Sequence, residues 1–498
     1  MGKSKNPLSQ ARGKQKAPEN IWFRRSGAGH ALFVEYYAKQ PVGTVVSGTA
    51  ELMAQDQTVK SKLTSSRPDV GQGLSRAAKR RKKKKGISQA SSSTTAPVEQ
   101  QVEPSAAAAT SSSSPSMVSP LIQAYQKFIK SEEKETCLNI LPFLSAMSRP
   151  LPLTIRLRQS TEDIDQLCSD LQEFRDIVQP SVFDPLIYQA KGSKQAVGQQ
   201  SPEFKQFLVD ASQNGELARQ ELGSMLPVIA LTQVGAMTRS SWVLDMCASP
   251  GSKTLQALEV IGPKGRIVAN DVLESRLDAL KAAVERAGMP ESLTKRITYS
   301  CQDATQLVVN ASKQWDAAIC DVPCSGDGTC RKDKHILPMF KPNHGNNLHE
   351  TQLKILLRAL KWIKAGGVVC YSTCSLSPVE DEAVVCAALE KLNGDDHENP
   401  TVELLKWKTP KGFIGRPGIS TWKVADYTST SADSEDEIPR LSWYESYSEA
   451  EKADMEGAVP TMWPPKETGL LNLERCIRLF PQDQDTGGFF VSLIRKLR

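Results

Sequence analysis

The sequence has no apolar run long enough to span a membrane and no CxxC pair, and its net charge is only +6. The first absence argues against a membrane helix. The second argues against the commonest zinc and redox motifs. The small net charge leaves any nucleic-acid role to be argued from the distribution of charge. The opening MGKSKNPLSQ lacks an apolar core, so no signal peptide is expected. Asn6 stands where a myristoylation signal needs Ser or Thr. The eleven cysteines are scattered without a disulfide framework, which points to a reducing compartment and free thiols. No internal repeat is present.

The 498 residues suffice for two or three domains. Residues 1–117 read as a largely disordered, basic and Ser/Ala-rich region. Within them ALFVEYYAKQ is a candidate short helix, and the tract over about 58–116 looks like an insertion. The seven basic residues from Lys79 to Lys85 suit nuclear localisation, with the nucleolus as a narrower option, or RNA tethering. Order resumes near 118. PLTIRLRQ alternates like a strand, with Ile155 and Leu157 on one face and Arg156 and Arg158, candidate phosphate contacts, on the other. Ile164, Leu167, Leu171, Phe174 and Ile177 recur at helical spacing.

A different rhythm begins near 240. SWVLDM, GRIVAND, ITYSCQD, WDAAICDVP and GGVVCYSTCS read as five strands separated by helices, which predicts a parallel, doubly wound α/β sheet. RCIRLFP and GGFFVSLIRK read as a closing antiparallel hairpin. In such sheets ligands bind beyond the carboxyl ends of the strands. There the sequence places the small-residue turn Cys247-Ala248-Ser249-Pro250-Gly251-Ser252-Lys253, then Asp271, Asp303 and Asp321 at the ends of the next three strands. The turn is neither GxGxxG nor a P-loop, which argues against a dinucleotide dehydrogenase or a nucleotidase.

Two cysteines end the fourth and fifth strands: Cys324 in DVPCSGDGT and Cys374 in YSTCS. A thiolate adding to carbon 6 of a cytosine makes an enamine whose carbon 5 can attack a sulfonium methyl, so covalent catalysis suits this pair. Chemistry alone does not say which thiol attacks. Cys320, Cys370, Cys386 and Cys476 read as buried apolar residues. A zinc site built from Cys324, Cys330, Cys370 and Cys374 has the wrong spacing, and no metal is expected.

LDMCASPGSKT, NDVLESRL, CDVPCSGDGT and YSTCSLSPVEDEAV, in that order, resemble the Nop/Sun (RsmB-like) family of RNA cytosine-5 methyltransferases. PGISTWKV and PTMWPPKETGLLNLERCIRLFPQDQDTGGFF look closest to its eukaryotic multisite tRNA branch. The resemblance implies a Rossmann-like class I methyltransferase domain over 236–498, a smaller α+β, RRM-like RNA-binding module over 118–235, and S-adenosylmethionine as cofactor. It implies Cys374 as nucleophile and Cys324 as the thiol that assists release. Residues Cys247 to Lys253 with Asp271, Asp303 and Asp321 would hold the cofactor: Asp271 the ribose, Asp303 the adenine edge, and Asp321 near the methyl donor and target base. Lys253 would order the loop around Asp321. The expected partner is RNA, tRNA before ribosomal or messenger RNA, and no membrane; a non-catalytic RNA-binding assembly factor is a further alternative. The loop RKDKHILPMFKPNHGNN lacks the tryptophans usual in the tRNA branch and is expected to face RNA. The 406–424 segment, with Trp407 and Trp422 among Lys406, Lys408, Lys411, Arg416 and Lys423, is a candidate for base stacking.

Overall fold

A computed structural model describes residues 28–40, 119–131, 140–159, 161, 163–394, 398–428, 440–465 and 468–498. The expectations for residues 1–20, for the basic run at Lys79–Lys85 and for the 58–116 tract lie outside the described residues.

The chain opens with helices α1 (Ala28–Lys39), α2 (Pro120–Ser131) and α3 (Leu141–Met147). A small unit follows: β1 (Pro152–Leu157), α4 (Ile164–Gln172), β2 (Val178–Pro180), β3 (Ile187–Ser193), α5 (Lys194–Gln200), α6 (Pro202–Gln213) and β4 (Leu217–Arg219). Its four strands pair antiparallel in the order β2-β3-β1-β4. Ile155, Leu157, Leu167, Phe174 and Phe204 share its core.

The larger unit begins with α7 (Leu222–Gln233), β5 (Trp242–Asp245), α8 (Ser252–Val260), β6 (Arg266–Asp271), α9 (Glu274–Arg286), β7 (Ile297–Cys301) and β8 (Trp315–Asp321). It continues with α10 (His349–Trp362), β9 (Ile363–Thr373), α11 (Glu382–Asn393), β10 (Val402–Leu404) and β11 (Arg416–Pro417). β12 (Val424–Asp426) and β13 (Ser442–Tyr444) form a separate pair, and β14 (Ile477–Leu479) and β15 (Phe489–Lys496) close the chain.

The nine-stranded sheet runs β11-β14-β15-β9-β8-β5-β6-β7, with β10 also on β15. The five strands from β9 to β7 are parallel, and β14 and β15 join antiparallel as the sequence predicts. Both faces are covered, which explains the nearly unbroken apolar runs of the central strands. Leu226, Leu255, Leu277 and Leu280 pack on one face, and Ile355, Leu356, Val384 and Val385 on the other. This is the expected Rossmann-like sheet. Its order reverses at β5, between β6 and β8, so the ligand crevice belongs at the ends of β5 and β8.

The unit boundaries differ from those read in the sequence. α2 and α3 share a cluster with α1, Phe340, Leu376 and Phe480 of the larger unit, and α7 lies under the large sheet. The small unit is therefore residues 152–219. The helix α1, inside the stretch assigned to disorder, is likewise part of a packed core.

Arg156 and Arg158, expected as phosphate contacts, are packed inside the protein. They are only 7% and 4% exposed, because the face of β1 that carries them packs on the larger unit. Arg156 Nη1 and Nη2 donate to the Glu259 carboxylate at 2.5 and 3.0 Å, and Arg158 Nη1 donates to the Ala287 carbonyl.

Candidate active site

The register of β8 against β9 pairs Asp321 with Ser372. That pairing sends the two chains off the sheet side by side, with Cys324 three residues past Asp321 and Cys374 two past Ser372. Their Sγ atoms lie 3.2 Å apart. The hydrogen bond shared with Cys374, and then burial, push the Cys324 thiol well above its ordinary pKa.

Asp321 is held from both sides. Ser372 Oγ donates to Oδ1 at 2.9 Å, and Lys253 Nζ lies 2.7 Å from Oδ2. Lys253 Nζ also donates to Ser224 Oγ at 2.9 Å and sits 5.5 Å from the Phe489 ring. Burial works to lower the pKa of Lys253, but the charge and hydrogen bond of Asp321 raise it above the usual value. The lysine is thus a fixed cation.

The turn after β5 is built by backbone contacts. Ala248 N donates to Asn270 O at 2.7 Å, and Gly251 N to Ala248 O at 2.8 Å. Gly251 has φ of +104°, and a Cβ there would lie 2.4 Å from Leu280 Cδ1. Only glycine fits both demands. The Asp271 carboxylate accepts from Ser249 N at 3.3 Å and from Arg276 Nε at 2.9 and 3.0 Å. Asp303 lies beyond β7 and accepts from Thr305 N and Oγ1 at 2.9 and 2.8 Å, a local turn.

Sequence reasoning missed Asp245, the last residue of β5. Thr254 Oγ1 donates to its Oδ2 at 2.6 Å, while its buried Oδ1 has no hydrogen-bond partner among the described residues. Burial raises its pKa to about 7.

The acidic run after Cys374 was also missed. Glu380 accepts from Ser325 N at 2.8 Å, Ser375 Oγ at 2.7 Å and Gln352 Nε2 at 3.0 Å, so it ties the two cysteine loops together. Asp381 accepts from Thr373 Oγ1 at 2.6 Å. Glu382 accepts from Arg478 Nε at 2.6 Å. Burial raises the pKa of Glu380 and of Asp381. A second tie runs through backbone: Gly328 N donates to Cys374 O at 3.0 Å, and Gly488 N to Gly328 O at 2.8 Å. Asp327, between Cys324 and this glycine, accepts from Leu376 N at 2.9 Å and from the Tyr37 hydroxyl.

The remaining cysteines stand apart. Cys320, Cys370, Cys386 and Cys476 are buried, as read from the sequence, and Cys330 donates to Asp327 O. The ten described cysteines are free, and no group of three metal-type ligands occurs among the described residues.

In two segments expected to face RNA the aromatic side chains are packed inward, while Lys406, Lys408, Lys411 and Lys423 stay exposed. The Trp407 indole N–H donates to Gln233 Oε1 at 2.6 Å and that of Trp422 to Met462 O at 2.8 Å, both rings being buried, while Arg416 pairs with Asp483 at 2.7 Å. In the loop after Thr329, Arg331, Leu337, Phe340 and Asn346 are buried. Arg331 donates to the carbonyls of Arg149, Pro150 and Thr486, leaving mainly the tip 332–335 exposed.

Residues 233–414 match the family model described as 16S rRNA methyltransferase RsmB/F. The multisite-specific tRNA:(cytosine-C(5))-methyltransferase trm4b of Schizosaccharomyces pombe is 32% identical over 406 residues, which is 71% of this chain and 56% of that protein. The multisite-specific tRNA:(cytosine-C(5))-methyltransferase of Saccharomyces cerevisiae is 31% identical over 394 residues, covering 71% and 52%. The tRNA (cytosine(34)-C(5))-methyltransferase of Drosophila melanogaster is 28% identical over 415 residues, covering 75% and 52%. The chain spans about half the length of these curated relatives. The turn after β5, the acidic strand ends and both cysteine loops fall within the residues that are similar to the RsmB/F methyltransferase family model.

Proposed function

We propose that this chain is an S-adenosylmethionine-dependent RNA cytosine-5 methyltransferase acting on tRNA, with Cys374 as nucleophile and Cys324 as the release thiol. The observation that carries the reading is the pair of thiols 3.2 Å apart beside an aspartate clamped by a lysine. The relatives named for tRNA cytosine methylation support tRNA as the substrate.

The donor set fits the cofactor. The unpartnered Asp245 Oδ1 would accept from its ammonium, and Asp271, one strand over, suits ribose hydroxyls. Asp303 is left for the adenine edge. Bound there, S-adenosylmethionine supplies an electrophilic sulfonium methyl. The chain's own groups do the rest. The Cys374 thiolate adds to carbon 6 of the cytosine, and the displaced electron pair moves to ring nitrogen 3, which takes a proton from water and as N–H donates to the Asp321 carboxylate; that proton returns to water when the ring is restored. Carbon 5 would take the methyl as the sulfonium S–C bond breaks, leaving the donor as a neutral thioether. The carbon-5 proton then leaves to a base, the carbon–sulfur bond breaks, and Cys374 departs as thiolate.

Cys324 is suited to that last stage. While Cys374 is free, its hydrogen bond is the main cause holding Cys324 protonated. Once the Cys374 sulfur is bonded to carbon, that cause is removed, while burial still holds the Cys324 thiol up. The basic run at Lys79–Lys85 supports a nuclear location.

The paired variants test the assignment. Cys374→Ala is expected to form no covalent RNA adduct, and Cys324→Ala to accumulate an adduct stable to denaturing gels. An adduct on Cys374→Ala overturns it. Bisulfite sequencing of tRNA, ribosomal RNA and messenger RNA incubated with the protein tests the substrate.

A further inference from the structure

We infer that Tyr37, on a helix far upstream of every motif in the site, is a positioning residue that holds the two thiols in register. The inference rests on the methyltransferase reading only for its effect on turnover; the positioning itself does not need it.

Tyr37 sits among Phe33, Phe143 and Phe340, with ring centroids 4.7, 5.4 and 6.2 Å away. Such a pocket is satisfied by phenylalanine, so the hydroxyl needs its own reason. Its partner is Asp327, a buried carboxylate three residues past Cys324. The other Asp327 oxygen accepts from Leu376 N, two residues past Cys374. One carboxylate therefore joins both cysteine loops, and the phenol of α1 completes its hydrogen bonding. Burial pushes the Asp327 carboxyl up, and the hydrogen bonds from Tyr37 and Leu376 oppose that. Without the phenol, a buried carboxylate facing the loops loses one of its donors, which a low-dielectric site tolerates poorly. Tyr36 offers a comparison within the same helix, since its hydroxyl meets Ser377 Oγ at 2.9 Å and touches only one of the two loops.

The test uses the full chain with Tyr37→Phe, Asp327→Asn, the double variant and Tyr36→Phe. The first readout is iodoacetamide alkylation of Cys324 and Cys374, mapped by mass spectrometry against exposed Cys301 as internal reference. Tyr37→Phe and Asp327→Asn are each expected to raise alkylation of the pair roughly tenfold. The double variant should match the singles, as coupled residues do, and Tyr36→Phe should leave the ratio near wild type. The second readout is the fraction of enzyme trapped as RNA adduct during turnover, which should rise in Tyr37→Phe. Unchanged alkylation in Tyr37→Phe, or an equal change in Tyr36→Phe, overturns the inference. If Asp327→Asn does not fold, the contrast between the two tyrosine variants decides. A wild-type protein that forms no adduct on any RNA, yet keeps the alkylation contrast, sinks the methyltransferase reading and leaves the positioning role standing.

Discussion

Lys253 and Asp321 face each other across the crevice between β5 and β8, Nζ 2.7 Å from Oδ2. The contact links the helix that follows the cofactor turn to the strand end that leads into the Pro-Cys loop. Lys253→Met removes a preorganised donor from a site where charge must be held in place. Methyl transfer is expected to slow by about a hundredfold. Single-turnover rates should carry the loss, with the fold intact by circular dichroism; an unchanged rate would remove Lys253 from the site.

Glu259 takes charge from two buried arginines of the small unit. Glu259→Ala leaves two guanidinium groups without their anion, a change that costs about 3–5 kcal/mol when a buried pair is broken. Urea unfolding measures that cost, and limited proteolysis should cut at the connections of the small unit, near residues 148–151 and 220–221, sooner than in wild type.

Asp245 gives a pH signature. Its folded pKa of about 7 lies above the ordinary carboxylate value of 3.8, so the folded state holds the proton more tightly than the unfolded one. The associated stability is fully present below 3.8 and is lost as pH rises through about 7. Asp245→Asn should flatten that part of the profile. Melting temperatures of wild type and variant across pH 4 to 8 should converge at the acid end; parallel profiles would show that the carboxyl titrates elsewhere.

Gly251→Ala combines a strained φ with a collision against Leu280. It is expected to lose about 1–3 kcal/mol of stability and to weaken cofactor binding. Calorimetry with S-adenosylmethionine checks the second effect, and wild-type affinity would mean that the turn has relaxed around the methyl.

Much of this was legible from periodicity. The five strands, the closing hairpin and the acidic strand ends all announce themselves locally, because a parallel sheet covered on both faces needs apolar strands that stop at polar turns. What escaped was the destination of polar side chains. The alternation of β1 shows that Arg156 and Arg158 share a face, but not that a second unit covers it. Trp407 and Trp422 among lysines look the same in sequence whether their indole N–H groups meet a base or, as here, Gln233 and Met462 O. Tyr37, Asp327 and Glu380 escaped for a related reason: their meaning lies in partners remote along the chain or in loops whose path no pattern encodes.

The meeting of Gly328, Gly488 and the Cys374 carbonyl has a mechanical consequence. A Cβ on Gly328 would lie 2.5 Å from Gly488 O and 2.8 Å from Cys374 O, and one on Gly488 would lie 2.8 Å from Gly328 Cα. Three segments of main chain meet there, with the Leu376 side chain packed against Gly488. The C-terminal hairpin bears none of the proposed reactive groups, yet it acts as the stop against which both thiol loops are seated. A side chain added at Gly328 or Gly488 would have to part the hairpin turn from the loops, so the backbone of that turn limits where both loops can sit.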